Sequence, residues 1–99
     1  MLHRVVRMKF SPETIRSFIE IFYKKQKFIQ AFEGCESVEL MNDESDNMVL
    51  YTLSKWESND ALQAYRNSDM FAVTWKQVKP LFSDKAQAFS LIKHIADET

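Results

Sequence analysis

Six side chains in this chain have the chemistry to hold and polarise a flat organic molecule: Arg4, Arg7, Tyr51, Trp56, Tyr65 and Trp75. Indole and phenol rings offer π-faces for stacking and a polar tip for orientation, so the four aromatic residues together suit an aromatic ligand. Guanidinium groups beside such a ring system can stabilise a phenolate or enolate as it forms. Oxygenation without metal or flavin needs that anion, because the substrate itself must reduce dioxygen. The same aromatic residues serve core and interface packing equally well. The sequence supplies no unmistakable base, so it assigns no catalytic residue.

His3 and His94 are the only imidazoles. Either could act as a general base near neutral pH if it lined a pocket. They fall on the first and last strands, which are expected in different parts of the sheet, and solvent-exposed packing is the plainer reading. Two histidines with no carboxylate at ligand spacing give no metal site. Cys35 is the single cysteine, which permits no intrachain disulfide. Following a glycine at the start of a strand, it reads as a small buried hydrophobe rather than a reactive thiol.

Composition removes several function classes. The length of 99 residues suits one domain spanning 1–99. Thirteen basic and fourteen acidic residues give a net charge of −1, with no basic stripe for nucleic acid. The one basic cluster, Lys24-Lys25-Gln26-Lys27, reads as a solvated helix face. Gly34 is the sole glycine, whereas phosphate-cradling and dinucleotide loops need several, so neither is present and no cofactor is expected. No stretch approaches the ~20 apolar residues of a membrane span. The first ten residues hold three Arg/Lys and one His, unlike a signal leader. A cytoplasmic location, with no membrane or nucleic-acid partner, is the expectation.

Periodicity supplies the elements that must position these residues. His3 to Lys9 alternates as a strand. Ser11-Pro12-Glu13 predicts a helix start, followed by an apolar stripe at Ile15, Phe18, Ile19, Phe22, Gln26 and Ile29 with one polar break. Gly34 suits the left-handed turn after that helix. Cys35 to Met41 and Met48 to Trp56 read as strands joined by the polar segment Asn42 to Asn47. Ser58 predicts one short helix and Ser68 a second, which ends before Pro80. Ala86 to Ile95 predicts a last strand. The fold class is therefore α+β: a ferredoxin-like β-α-β-β-α-β unit, a four-stranded antiparallel sheet with its helices on one face. Thirteen aromatic residues are many for so small a core, and whichever strand parity faces the helices, the other face stays apolar. Covering it with a second copy needs only one self-complementary patch, which predicts a homodimer through the open sheet face.

The stretch Trp56 to Phe71 combines a strand-ending Trp, the Ser58 cap, the helix Ala61 to Tyr65 and then Ser68 and Phe71. With Phe22-Tyr23 and Phe32-Glu33-Gly34 upstream, it resembles the antibiotic biosynthesis monooxygenase family of dimeric α+β barrels. The resemblance implies the ferredoxin-like dimer over nearly the whole chain. It also implies a range of activities that includes cofactor-independent oxidation of quinols or polyketide phenols, and haem degradation. The haem-degrading branch uses an Asn on the first strand, a Trp early in the second helical region and a His ligand later in it. Here those places hold Val5, Val6 and Arg7 without Asn, then Tyr65, then Trp75. Indole nitrogen has no lone pair for iron, so haem chemistry does not carry over. Two function classes follow: a monooxygenase-like protein acting on a small aromatic or quinol-type compound, or a non-catalytic dimeric module that binds a ligand or serves a stress or regulatory role. An open pocket containing Tyr65, Trp75 and an Arg or His favours the first; a filled interior favours the second.

Overall fold

The computed structural model describes residues 1–95. Its elements are β1 (Leu2–Lys9), α1 (Ile15–Gln30), β2 (Cys35–Asn42), β3 (Val49–Trp56), α2 (Asn59–Arg66), α3 (Asp69–Val78), a 3-10 turn (Lys79–Leu81) and β4 (Gln87–Ile92). The four strands form one antiparallel sheet in the order β2-β3-β1-β4. This is the ferredoxin-like arrangement. Because β4 adds to the edge of β1, His3 sits directly across from Leu91. The first and last strands are thus neighbours, not separate parts of the sheet as the sequence suggests. His94 follows β4 and is exposed.

Local chemistry sets most boundaries. The hydroxyls of Ser58 and Ser68 accept from the backbone N–H groups of Ala61 and Phe71, capping α2 and α3. Gly34 takes φ of 85° in the turn before β2, where a Cβ would also collide with that of Ala61 on α2. The first helix begins three residues later than Ser11-Pro12 suggests. Residues 12–14 form a turn, and the Thr14 hydroxyl donates to the Leu81 carbonyl at 2.8 Å, pinning the helix entry to the 3-10 turn that follows α3. The polar break in the α1 stripe also has a partner: Gln26 Nε2 donates to the Val38 carbonyl at 2.9 Å.

Strand register divides the side chains between two faces. Arg4, Val6 and Met8 of β1 share a face with Ser54, Thr52 and Leu50 of β3. Val38 and Leu40 of β2 and Ala88 and Ser90 of β4 lie on the same side. This face meets the helices, and its core joins Met8, Val38, Leu50 and Trp56 to Phe18, Phe22 and Ile29 of α1, Leu62 of α2 and Val78 of α3. Among the described residues, no helix is long and apolar enough to cross a membrane.

Candidate functional site

The sheet and helices do not close on each other. Between them lies a cavity of about 760 Å³. Its floor comes from alternate residues of the sheet, with Arg4, Val6, Thr52, Ser54 and Ala88 near the middle. These are mostly small side chains, and that is why the helices stand off there. The opposite wall is aromatic. Tyr65 lies over Trp56 with ring centroids 5.1 Å apart and meets Phe71 edge-on at 5.2 Å. Phe71 and Trp75 are nearly parallel, 6.0 Å apart and 10° from coplanar orientation. The rings continue through Phe82 and Phe10 to Phe18 and Phe22, all within 4.6 to 6.5 Å of the next. The helical spacing of Phe71, Trp75 and Val78 lays this wall along one side of α3, and the Ser68 cap fixes where that helix starts.

Four of the six side chains picked out by type, Arg4, Trp56, Tyr65 and Trp75, line this one cavity. Arg7 and Tyr51 do not. They are paired directly across from each other, one residue out of phase with Arg4 and Thr52, so both point to the far side of the sheet. There the Tyr51 hydroxyl reaches Asp43 Oδ2 at the long distance of 3.5 Å. His3 faces the same way, across from Lys55.

Electrostatics separate the roles open to the cavity residues. Burial, with a smaller contribution from the nearby Cys35, pushes the Tyr65 phenol up to about 12. Tyr65 therefore keeps its proton at neutral pH and can donate a hydrogen bond to a ligand oxygen, but it is no base. Burial raises the Cys35 thiol as well, despite its contact with the Ser37 carbonyl. Trp56 spends its N–H on Ser54 Oγ at 2.9 Å, so it offers its ring face alone. The Arg4 guanidinium lies in the row Ser54–Arg4–Ser90 and donates to Ser90 Oγ at 2.8 Å. Burial, and then the charge of Arg66, lower its pKa from the ordinary value, yet a guanidinium stays cationic across the biological range.

Arg66, Phe71, Lys25 and Lys85 also line the cavity, and the sequence gives little sign of it. Phe71 carries the right helical spacing. Arg66 ends α2, where a cation that complements the helix dipole is ordinary, and Lys25 sits in a run that reads as solvated. No group of three or more metal-ligating side chains is gathered among the described residues.

The sequence pattern of a known family, described as antibiotic biosynthesis monooxygenase, matches residues 1–77. Solved structures similar to this chain include a protein from Mycobacterium tuberculosis, 17% identical, covering 99% of this chain and 98% of that one with a TM-score of 0.86. A conserved protein from Methanosarcina mazei is 18% identical over 95% of this chain and 94% of its own, with a TM-score of 0.88. A structure named antibiotic biosynthesis monooxygenase is 14% identical, covers 96% of this chain and 100% of its own, and gives a TM-score of 0.87. At these identities the structural likeness establishes the fold. No curated protein matches the sequence.

Proposed function

The chain belongs to the antibiotic biosynthesis monooxygenase family, and on that premise we propose that it binds a small aromatic compound of the phenol or quinol type and oxidises it with dioxygen, using neither metal nor flavin. The observation that carries this reading is the open cavity itself, walled by Trp56, Tyr65, Phe71 and Trp75 and floored by Arg4. A protein interior is normally packed to the density of an organic crystal. A void of this size beside so many ring faces matches the shape and chemistry of a flat ligand.

In this reading the rings of Trp56, Phe71 and Trp75 hold the substrate plane and exclude water. The Tyr65 hydroxyl donates to a substrate carbonyl or hydroxyl, and Arg4 stabilises the phenolate or enolate. The anion passes an electron to dioxygen, the resulting radical pair joins at carbon, and the hydroperoxide collapses to a carbonyl. One oxygen atom enters the product and the other leaves as water with two hydrogens of the substrate, one from that carbon and one from the hydroxyl that ionised, so the substrate supplies every electron. The reading includes a homodimer formed through the open sheet face, where Phe89 and Leu91 are half exposed and stand beside Val5 and Leu53. Sedimentation at micromolar concentration tests it, and a monomer there refutes it.

Oxygen uptake measured against a panel of quinols and anthrones tests the enzyme. Uptake with at least one compound, lost in Trp75→Ala and weakened in Tyr65→Phe, is the expected result. One observation favours a second reading, a ligand-binding module without turnover: among the described residues, no histidine and only one carboxylate, Asp84, line the cavity. Tight binding without oxygen uptake on any compound would establish the module and overturn the oxygenase.

A further inference from the structure

Charge in this molecule is balanced overall and unbalanced around the cavity. The chain holds thirteen basic and fourteen acidic residues. Among the described residues, the cavity lining nevertheless includes Arg4, Lys25, Arg66, Lys79 and Lys85 against the single carboxylate of Asp84. That carboxylate lies in the loop before β4, where its Oδ1 accepts from the Lys85 backbone N–H at 2.8 Å. Arg4 belongs to the other end of the sheet floor, two side-chain rows along β1 from Met8. At the Arg4 end, Arg66 lines the same cavity and lies near enough for its charge to act on Arg4, and among the described residues no acid lines the cavity beside them. Burial and the Arg66 charge both act against the cationic form of Arg4, and neither is offset by a carboxylate. Holding like charges beside an apolar, partly desolvated space costs free energy in the empty protein, and a bound anion relieves that cost. A cleft lined by one sign of charge also concentrates ligands of the opposite sign. Complementing the α2 dipole accounts for Arg66 alone. It leaves unexplained the cations that α1, the 3-10 turn, the β4 loop and β1 bring to the same space.

We infer that the Arg4–Arg66 pair is a carboxylate-binding subsite, so that the cavity takes aromatic acids: a flat ring against Trp56, Tyr65, Phe71 and Trp75, and a permanent carboxylate on the two guanidiniums. Planar guanidinium groups match the two oxygens of a carboxylate by paired charge-assisted hydrogen bonds. Arg4 uses one N–H on Ser90, which leaves others for a carboxylate and for a reacting oxygen. The inference rests on the reading of the cavity as the ligand site and is independent of turnover.

Binding of 2-naphthoate and of 2-naphthalenemethanol, which share a ring system and differ in charge, tests it by calorimetry and by fluorescence. The two tryptophans of the chain, Trp56 and Trp75, both line the cavity, so quenching of their emission reports occupancy. Naphthoate is expected to bind about tenfold or more tightly than the alcohol. Raising the salt from about 0.05 M to about 0.5 M should erase most of that preference, since the rim is solvent-exposed. Arg66→Gln, an exposed position safe for folding, should weaken naphthoate by about fivefold or more and leave the alcohol unchanged, and Arg4→Gln should weaken naphthoate as well. Equal binding of the two compounds, or a preference that survives both variants, overturns the carboxylate subsite and leaves an aromatic site standing. Failure of both compounds to bind overturns the subsite and the ligand-site reading together.

Discussion

The two faces of the sheet are built from the same four strands, one residue out of phase, and they do opposite things. Toward the helices, the central rows Ser54–Arg4–Ser90 and Thr52–Val6–Ala88 are small or polar, while Leu50 and Trp56 toward the ends are completely buried. The large side chains hold the helices in place and the small ones leave a space beneath them. On the other face the central row Glu39–Leu53–Val5–Phe89 is mainly large and apolar, with Lys55 and His3 on one side and Tyr51 and Arg7 on the other. That face has no cavity-forming partner layer and exposes its hydrophobic residues. One face therefore gives up packing and leaves a cavity, and the other keeps its bulk and leaves Phe89 and Leu91 half exposed. Strand parity alone decides which side chain serves which purpose.

The largest effect expected from this contrast is on stability. Trp56 is 1% exposed, packs beneath Tyr65 and satisfies Ser54. Trp56→Ala should cost about 3–5 kcal/mol in urea unfolding. Phe89, on the open face and 50% exposed, should cost under about 1 kcal/mol when changed to Ala, as long as the protein is diluted to the monomer. Similar losses at the two positions would mean that the open face is as well packed as the helix face, and the contrast would fail.

The next effect is on chemistry and compares two arginines three residues apart. Arg4→Gln removes the cation from the cavity floor and should lower kcat/KM for oxidation of an active quinol by about a hundredfold, near 2.7 kcal/mol. Arg7→Gln alters only the far face and should leave kcat/KM unchanged. Equal losses in the two variants would show that the far face takes part in the reaction, against the division drawn from the register.

How far the sequence could anticipate this depends on the range of the interactions that decide each feature. The caps at Ser58 and Ser68 and the turn at Gly34 are local, and each is legible from a few residues. The start of α1 is not legible locally, because its anchor is a hydrogen bond from Thr14 to Leu81, sixty-seven residues away in the chain. Parity was hidden by β1 itself, which carries an arginine and a valine on each side, so Arg4 and Arg7 look alike until β3 and β4 are laid beside them. Tyr51 next to Thr52 poses the same ambiguity. The Arg4–Arg66 pair depends on β1 and α2 meeting across a space that no spacing rule encodes, and each residue by itself has an ordinary explanation.

The smallest effect concerns Tyr65 and is silent at neutral pH. Its phenol is raised from an ordinary 10.0 to about 12, by burial first and by Cys35 second. The folded protein therefore holds this proton more tightly than the unfolded chain does. Its contribution to stability is fully present below pH 10, because both states keep the proton there, and it is lost as the pH rises through 10 toward 12, where the unfolded state ionises first. Tyr65→Phe removes the titrating group, so the stability difference between the two proteins should be flat up to pH 10 and then shift in favour of the variant. Melting curves from pH 7 to 11.5 measure that difference, and absorbance of the phenolate gives the pKa directly. Cys35→Ala should bring Tyr65 down only part of the way, because burial beneath the aromatic wall is the larger cause and remains. A return to the ordinary value in that variant would mean that Tyr65 is open to solvent and that the cavity wall is looser than its ring contacts indicate.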